Sequence, residues 1–358
     1  MGRIAPQSNQ EAPSLTPTPS LQLLVVVLLF GVAARLASAA VGDNFDMQSW
    51  WIASEAALRG EPVYSATTRY NYGPMWSWVI SALRSLSQHI GADTVTHLHL
   101  LMSGLLSLID VALAALLYRT ASPRVAILFF LNPISIAITG YHIQFDNFAI
   151  LLGLIAWALF IQARSITATA LSGVIFGLSL SLKHVFSLYL GWLPFLTTIR
   201  TTRERLLFGA ISLSVFFGSF LPYLPNEATW KGIQSNVFDY VSTEGHSLSG
   251  ALAEHVPGLT PRALFMLLTV LTGTILARKH VLHTYAPYLY LIALTALSSG
   301  MARNYLAVPL VAVFLFMSNR YALIYLLVGC LCLVTVNSSL GTSEVVAPLL
   351  SSGLVTYE

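Results

Sequence analysis

The chain has 358 residues, of which 56% are hydrophobic and only 9% charged, and its mean hydropathy is +0.72. A soluble domain carries about 25% charged residues, so this composition excludes a string of soluble globular domains, a disordered chain and a collagen-like one. The formal net charge of +3 comes mostly from arginines between apolar blocks, which points to a polytopic membrane protein and away from a nucleic-acid partner.

Residues 1–19 are polar and hold Pro6, Pro13, Pro17 and Pro19, the composition of a disordered tail. The first apolar run, 20–41, is too long for a signal-peptide core and lacks a basic segment just ahead of it, so it reads as a retained helix. Further runs lie at 95–118, 124–140, 146–162, 166–182, 184–198, 206–223, 263–278, 284–300, 303–318 and 321–338. Crossing about 30 Å of hydrocarbon takes roughly 20 helical residues. The expectation is therefore an all-α fold with about eleven transmembrane helices. The stretch 73–91 is expected to lie at the membrane surface, because Arg84, Gln88 and His89 interrupt its apolar side. Cys330 and Cys332 sit two apart in the last run, on nearly opposite helix faces, and carry no redox information.

Orientation follows from the basic residues. With the N-terminus inside, Arg3, Arg119, Arg124, Arg164, Arg200, Arg203, Arg205, Arg278, Lys279 and Arg320 put ten on the inner side. Arg59, Arg69, Arg84, Lys183, Lys231, Arg262 and Arg303 put seven outside, and Arg35 falls within the first run. The expected organisation is a cytoplasmic tail at 1–19, a membrane domain at 20–338 with outer loops 42–94 and 224–262, and an outer tail at 339–358. A chain elaborated on one side only is expected to work on that side.

Ionisable residues at membrane depth are costly and are candidates for function. Asp43 and Asp46 follow the first run directly, beside Trp50 and Trp51. A partly desolvated carboxylate there can serve as general base toward a hydroxyl; the plain alternative is that both acids cap the next helix. The turn GYHIQFDNF gathers His142, Gln144, Asp146 and Asn147, again with helix capping as the alternative. Lys183 and His184 lie at the outer end of a hydrophobic hairpin. They can bind a phosphate at the membrane surface, or Lys183 can merely snorkel. Arg303 is a second phosphate candidate, since a guanidinium meets phosphate bidentately. Asp110, in the middle of a run, reads as a buried hydrogen-bond partner between helices. No Walker loop, zincin motif, Rossmann glycine pattern or Cys/His metal spacing occurs, so no cofactor and no metal is expected.

These residues carry a resemblance. The stretch GDNFDMQSWWIASEAALRGEPVYSATTRYNYGPMWSW resembles the first outer loop of GT-C glycosyltransferases, where an acid soon after the first span is followed by an aromatic, a Gly-x-x-x-Tyr and a Tyr-x-Pro. The loop of GPI mannosyltransferase I is especially similar, and Asp46 matches its second acid. LNPISIAITGYHIQFDN and SLKHVFSLYLGWLPF resemble the His-x-Gln-Phe and Lys-His-x-x-x-Tyr stretches of the dolichyl-phosphate-glucose glucosyltransferases of N-glycan assembly, and Asp110 matches an acid those enzymes carry in the second span. The likeness covers roughly residues 40–200; beyond it the family's His-Glu-Lys-Ala stretch is absent and MARNYLAVP stands in its approximate place.

The resemblance implies a GT-C-like membrane fold with a helical first outer loop. It implies a hexosyltransferase that moves a sugar, with inversion, from a polyprenyl-phosphate donor to a lipid-linked saccharide or other glycan. Asp46, with Asp43 beside it, would be catalytic, Lys183, His184 and Arg303 would hold the donor phosphate, and His142, Gln144, Asp146 and Tyr72 would bind substrate. The partners implied are the donor, the acceptor and membrane lipids. The location implied is a bacterial inner membrane, or the endoplasmic reticulum if the source is eukaryotic. A polytopic lipid or small-molecule transporter or flippase is the competing class; such proteins usually carry repeats with broken helices, and no repeat is visible here.

Overall fold

The computed structural model describes residues 21–42, 44–240, 248–255, 258–298, 303–317 and 319–335. The expected tails 1–19 and 339–358 lie outside them. Among the described residues the fold is all-α, with no strand. Helix α1 (Leu21–Ala39) leads into a loop segment built from α2 (Phe45–Leu58), α3 (Val63–Ala66) and α4 (Pro74–His89). The long α5 (Val95–Thr120) is followed by α6 (Pro123–Phe130), α7 (Pro133–Ile136) and a π turn (Ala137–Tyr141). Helices α8 (Asp146–Gln162) and α9 (Ile166–Leu182) form a hairpin, and 3-10 turns over His184–Phe186 and Leu188–Phe195 connect it to α10 (Thr202–Gly218). The rest includes α11 (Glu227–Ile233), α12 (Leu248–Ala253), α13 (Pro261–Ala277), α14 (Ala286–Leu297), a 3-10 turn (Arg303–Ala307), α15 (Leu310–Phe316) and α16 (Asn319–Thr335).

Among the described residues, three helical segments are long and apolar enough to cross a membrane: Gln22–Ala39, Val95–Thr120 and Thr202–Tyr223. A fourth arises if the pair Pro123–Phe130 and Pro133–Tyr141, bent by 47°, counts as one span. The bend has a local cause: Pro133 has no N–H to give the preceding turn, and Asn132 Oδ1 accepts the Ile134 N–H at 2.8 Å to start the next piece. Among the described residues, three or four of the eleven expected spans reach this length. Several of the remaining runs make apolar helices of 17 residues or fewer. The run 184–198 departs most, winding as 3-10 helix with Pro194 inside it. At about 2.0 Å per residue a 3-10 helix advances further than an α-helix of equal length.

The segment 42–94 is fixed by its own punctuation. Asn44 Oδ1 caps α2 by accepting the Met47 N–H at 2.9 Å. Helix α2 stops at Gly60, whose φ of 73° suits glycine, with the Gly60 and Glu61 N–H groups returning to the carbonyls of Ala57 and Ala56. Helix α4 starts on Pro74 at its first turn and ends the same way at Gly91, φ 72°.

Helix α4 turns one face inward, with Trp76 and Ile80 fully buried, and leaves Trp78 and Leu86 exposed on the other. Arg84, expected to interrupt the apolar side, lies on the buried face. Its guanidinium meets Asp93 at 2.5 Å and Glu55 at 2.9 Å and sits 3.3 Å over the Trp51 ring. An arginine with two acids and an aromatic face around it can be buried, because its charge and donors are all matched.

Candidate functional site

The loop after α1 and the turn before α8 meet at one end of the bundle. Asp46 lies in the first turn of α2, and its Oδ2 stands 3.6 Å from Nδ1 of His142. That oxygen is buried and has no hydrogen-bond partner, while the side chain keeps 13% exposure. The two elements are tied by Asn44 Nδ2, which donates to the Tyr141 carbonyl. The imidazole of His99, on α5, lies 3.0 Å from the same oxygen through Nε2. His142 follows the π turn, and Ile143 after it has φ 51°, a left-handed conformation that costs a β-branched residue about 1–3 kcal/mol. Such strain persists only where surrounding contacts enforce it.

Those contacts are aromatic. Phe145 stacks on Trp76 with ring centroids 4.0 Å apart and also touches Tyr72 at 4.9 Å and Trp50 at 5.6 Å. Trp50 meets Tyr72 at 5.3 Å and Tyr70 at 6.5 Å. Each such pair contributes about 0.5–1.5 kcal/mol beyond burial, so the loop is clamped to the turn. Half-buried Tyr72 stands between the two acids of the site. Its phenol is pushed well above the ordinary value, first by burial and then by the nearby Asp46 carboxylate, so it remains a neutral hydroxyl.

Lys183 closes the site at the end of α9. Its Nζ donates to Asp146 Oδ2 at 2.7 Å and to Gln144 Oε1 at 3.2 Å. It also lies 5.0 Å from the Tyr72 ring and 5.1 Å from the Phe145 ring. The residue is 6% exposed, so it does not snorkel. An ammonium has three donors, and two are spent here. Gly73 makes the approach possible: a Cβ there would collide with the Ser181 carbonyl just before Lys183. His184 is half-buried, and its Nδ1 has no hydrogen-bond partner.

Beneath the site lies a buried polar network. Arg35 Nε donates to Asp110 Oδ2 at 2.9 Å, its Nη2 to Ser135 Oγ at 2.9 Å and its Nη1 to the Gly31 carbonyl at 3.0 Å. Asn147 Nδ2 completes it by donating to Asp110 Oδ1 at 2.7 Å. Asp110 is therefore the interhelical partner expected from its place in the run.

Of the residues singled out in the sequence, Asp46, Tyr72, His142, Gln144, Asp146 and Lys183 come together. The capping alternatives fail on geometry. Asn44 caps α2 in place of either acid, and α8 has no side-chain cap, since Asp146 and Asn147 turn to Lys183 and Asp110. Asp43 and the side chain of Arg303 lie outside the described residues. Sequence reading missed Asn44 and His99; the signal for Asn44 was its place before an acid-bearing first turn. Among the described residues no three His, Cys, Asp or Glu side chains gather to hold a metal ion. A wide cavity of about 570 Å³ lined by Thr197, Thr198, Arg200, Thr201 and Glu204 lies at the other end of α8 and α9, away from Asp46.

No protein-family model, curated protein or solved structure matches this chain.

Proposed function

We propose that the chain is a GT-C-like membrane glycosyltransferase that moves a hexose from a polyprenyl-phosphate donor to a lipid-linked saccharide or other glycan. The observation that carries this reading is the meeting of Asp46, His142, Tyr72 and the pair of Lys183 and Asp146 at one end of an apolar helical bundle. The free Asp46 oxygen takes the proton as the acceptor oxygen bonds to the anomeric carbon. The bond from that carbon to the phosphate oxygen breaks with inversion, and polyprenyl phosphate leaves. A base in such a place contributes about 10²–10⁴-fold.

Because Asp146 already balances the charge of Lys183, Lys183 offers the phosphate its one remaining N–H. Arg303 is assigned the net attraction, and His184 beside Lys183 is assigned a hydrogen bond from a neutral ring. Tyr72 presents a neutral hydroxyl and a ring face to the sugar. The working end is assigned to the periplasm of a bacterial inner membrane, or to the lumen of the endoplasmic reticulum in a eukaryote.

The test is a donor screen. Membranes holding the full chain are incubated with polyprenyl-phosphate glucose, mannose or arabinose and with extracted lipid-linked saccharides, and transfer is followed by radiolabel. One donor should be consumed, and Asp46→Asn should lower the rate at least about 100-fold at unchanged protein level. Equal rates for wild type and Asp46→Asn would remove Asp46 as base. Movement of labelled lipid across reconstituted vesicles, with no transfer to any acceptor, would favour a flippase.

A further inference from the structure

A second binding feature lies far from Asp46. Helices α1, α5 and α6 leave a cavity of about 300 Å³ between them, within the range of small-ligand sites. Its wall is apolar, with Leu24, Val27, Leu28, Val111, Ile127 and Phe130, and it exists because Ala114, Ala115 and Ala126 stop at Cβ where the helices face it. One end is closed by Phe130, on whose ring the Arg35 guanidinium rests at 4.5 Å. At the other end stand Tyr118 and Arg119, in the last turn of α5. Arg119 is exposed and makes no ion pair with an acid among the described residues. Between Val111 and Arg119 the helix rises about 12 Å.

We infer that this groove holds one acyl chain of an anionic phospholipid, with the headgroup phosphate on Arg119 and Tyr118. Three features select that occupant. The wall has nothing to offer a polar ligand, whereas an alkyl chain replaces water against it at about 25 cal/mol per Å². The cationic mouth stands at the end of a span, where a phosphate headgroup lies and where Arg pairs bidentately with phosphate oxygens. The floor ends at a buried charge network, which sets a maximum depth for the chain. The opening faces the membrane half opposite the Asp46 site: His99 near the start of α5 touches that site's Tyr141 carbonyl, and Arg119 is some twenty residues further along. The lipid is therefore distinct from any donor bound beside Asp46, and the inference does not depend on the transferase reading.

Lipid binding to the purified full chain in detergent is measured by native mass spectrometry, titrating phosphatidylglycerol against phosphatidylcholine. Two variants are compared at exposed positions on α5: Arg119→Gln, and Ala115→Phe, which fills the groove. Wild type should retain phosphatidylglycerol at least about fivefold more tightly than phosphatidylcholine. Arg119→Gln should abolish that preference, and Ala115→Phe should weaken both lipids. Thermal unfolding without added lipid checks that the variants are folded; should Ala115→Phe fail, Ala115→Leu replaces it. Equal affinity for the two lipids in wild type, or a preference untouched by Arg119→Gln, overturns the proposal. Undiminished binding by the filled groove overturns it as well.

Discussion

The pair of Lys183 and Asp146 shows how an individual charge is kept at depth. Both side chains are nearly inaccessible, at 8% and 2%, and each is the charge partner of the other. Removing one partner leaves a buried charge, which costs about 3–5 kcal/mol, whereas replacing both by apolar groups is often close to neutral. Lys183→Met alone should therefore destabilise the chain by about 3–5 kcal/mol, and adding Asp146→Leu should recover most of that loss. Denaturant unfolding in detergent, read by tryptophan fluorescence, measures both. If the pair also serves the donor phosphate, the double variant is stable but inactive. A purely structural pair gives a stable and active double variant, which separates the roles.

At the scale of elements, the segment 42–94 behaves as part of the bundle. Its aromatic side chains enter the core, and α4 is locked against α2 by Arg84 reaching Glu55 and Asp93. The hydrogen bond from Arg84, with a second from Gln88, holds the Asp93 carboxyl below its ordinary value of 3.8. A carboxyl lowered on folding contributes fully above its unfolded value, and its contribution is lost as pH falls through the folded one. The stability that Asp93 lends is thus complete above pH 3.8 and fades as the pH drops below it. Arg84→Gln should lower the melting temperature at neutral pH and flatten the acid limb that wild type should display below pH 3.8. Melting curves of both proteins at several pH values check this. An unchanged acid limb in the variant would mean that other carboxylates set it.

For the whole molecule, hydrogen bonds sort the chain into two ends. Asp46, Tyr141 and Lys183 mark one; Arg200, bonded to the Phe160 carbonyl at 3.2 Å, and Thr198, beside His283 at 2.6 Å, mark the other. On the arginine distribution, we propose that the Arg200 end faces the cytoplasm. In a chain with Cys330 and Cys332 changed to serine, a cysteine at exposed Lys231 should react with an impermeant maleimide in intact cells. One at exposed Thr201 should react only after lysis. Labelling at Thr201 alone would turn the protein over and move the Asp46 site inside.

What the sequence determined by itself was local. Apolar runs are long-wavelength signals, so the helical class and the order of the hydrophobic segments were legible, while the helical first loop came only with the resemblance. Asp46, His142, Gln144, Asp146 and Lys183 stood out because polar residues beside apolar runs are costly and therefore conspicuous, whereas Tyr72 came only with the resemblance. What only the tertiary structure decided was pairing. Lys183 could snorkel or be buried, and the outcome rested on Asp146, 37 residues away in the chain. Arg84 read as the polar break in a surface helix until Glu55, Asp93 and Trp51 closed around it. The run 184–198 had the composition of a regular span, yet it winds as 3-10 helix between α10 and α13, where Trp192 lies so close that a Cβ on Gly273 would meet its ring. In each case the local pattern fixed how apolar a segment is. Which partner would neutralise a charge, or how tightly a turn must wind, depended on groups that only folding brings within reach.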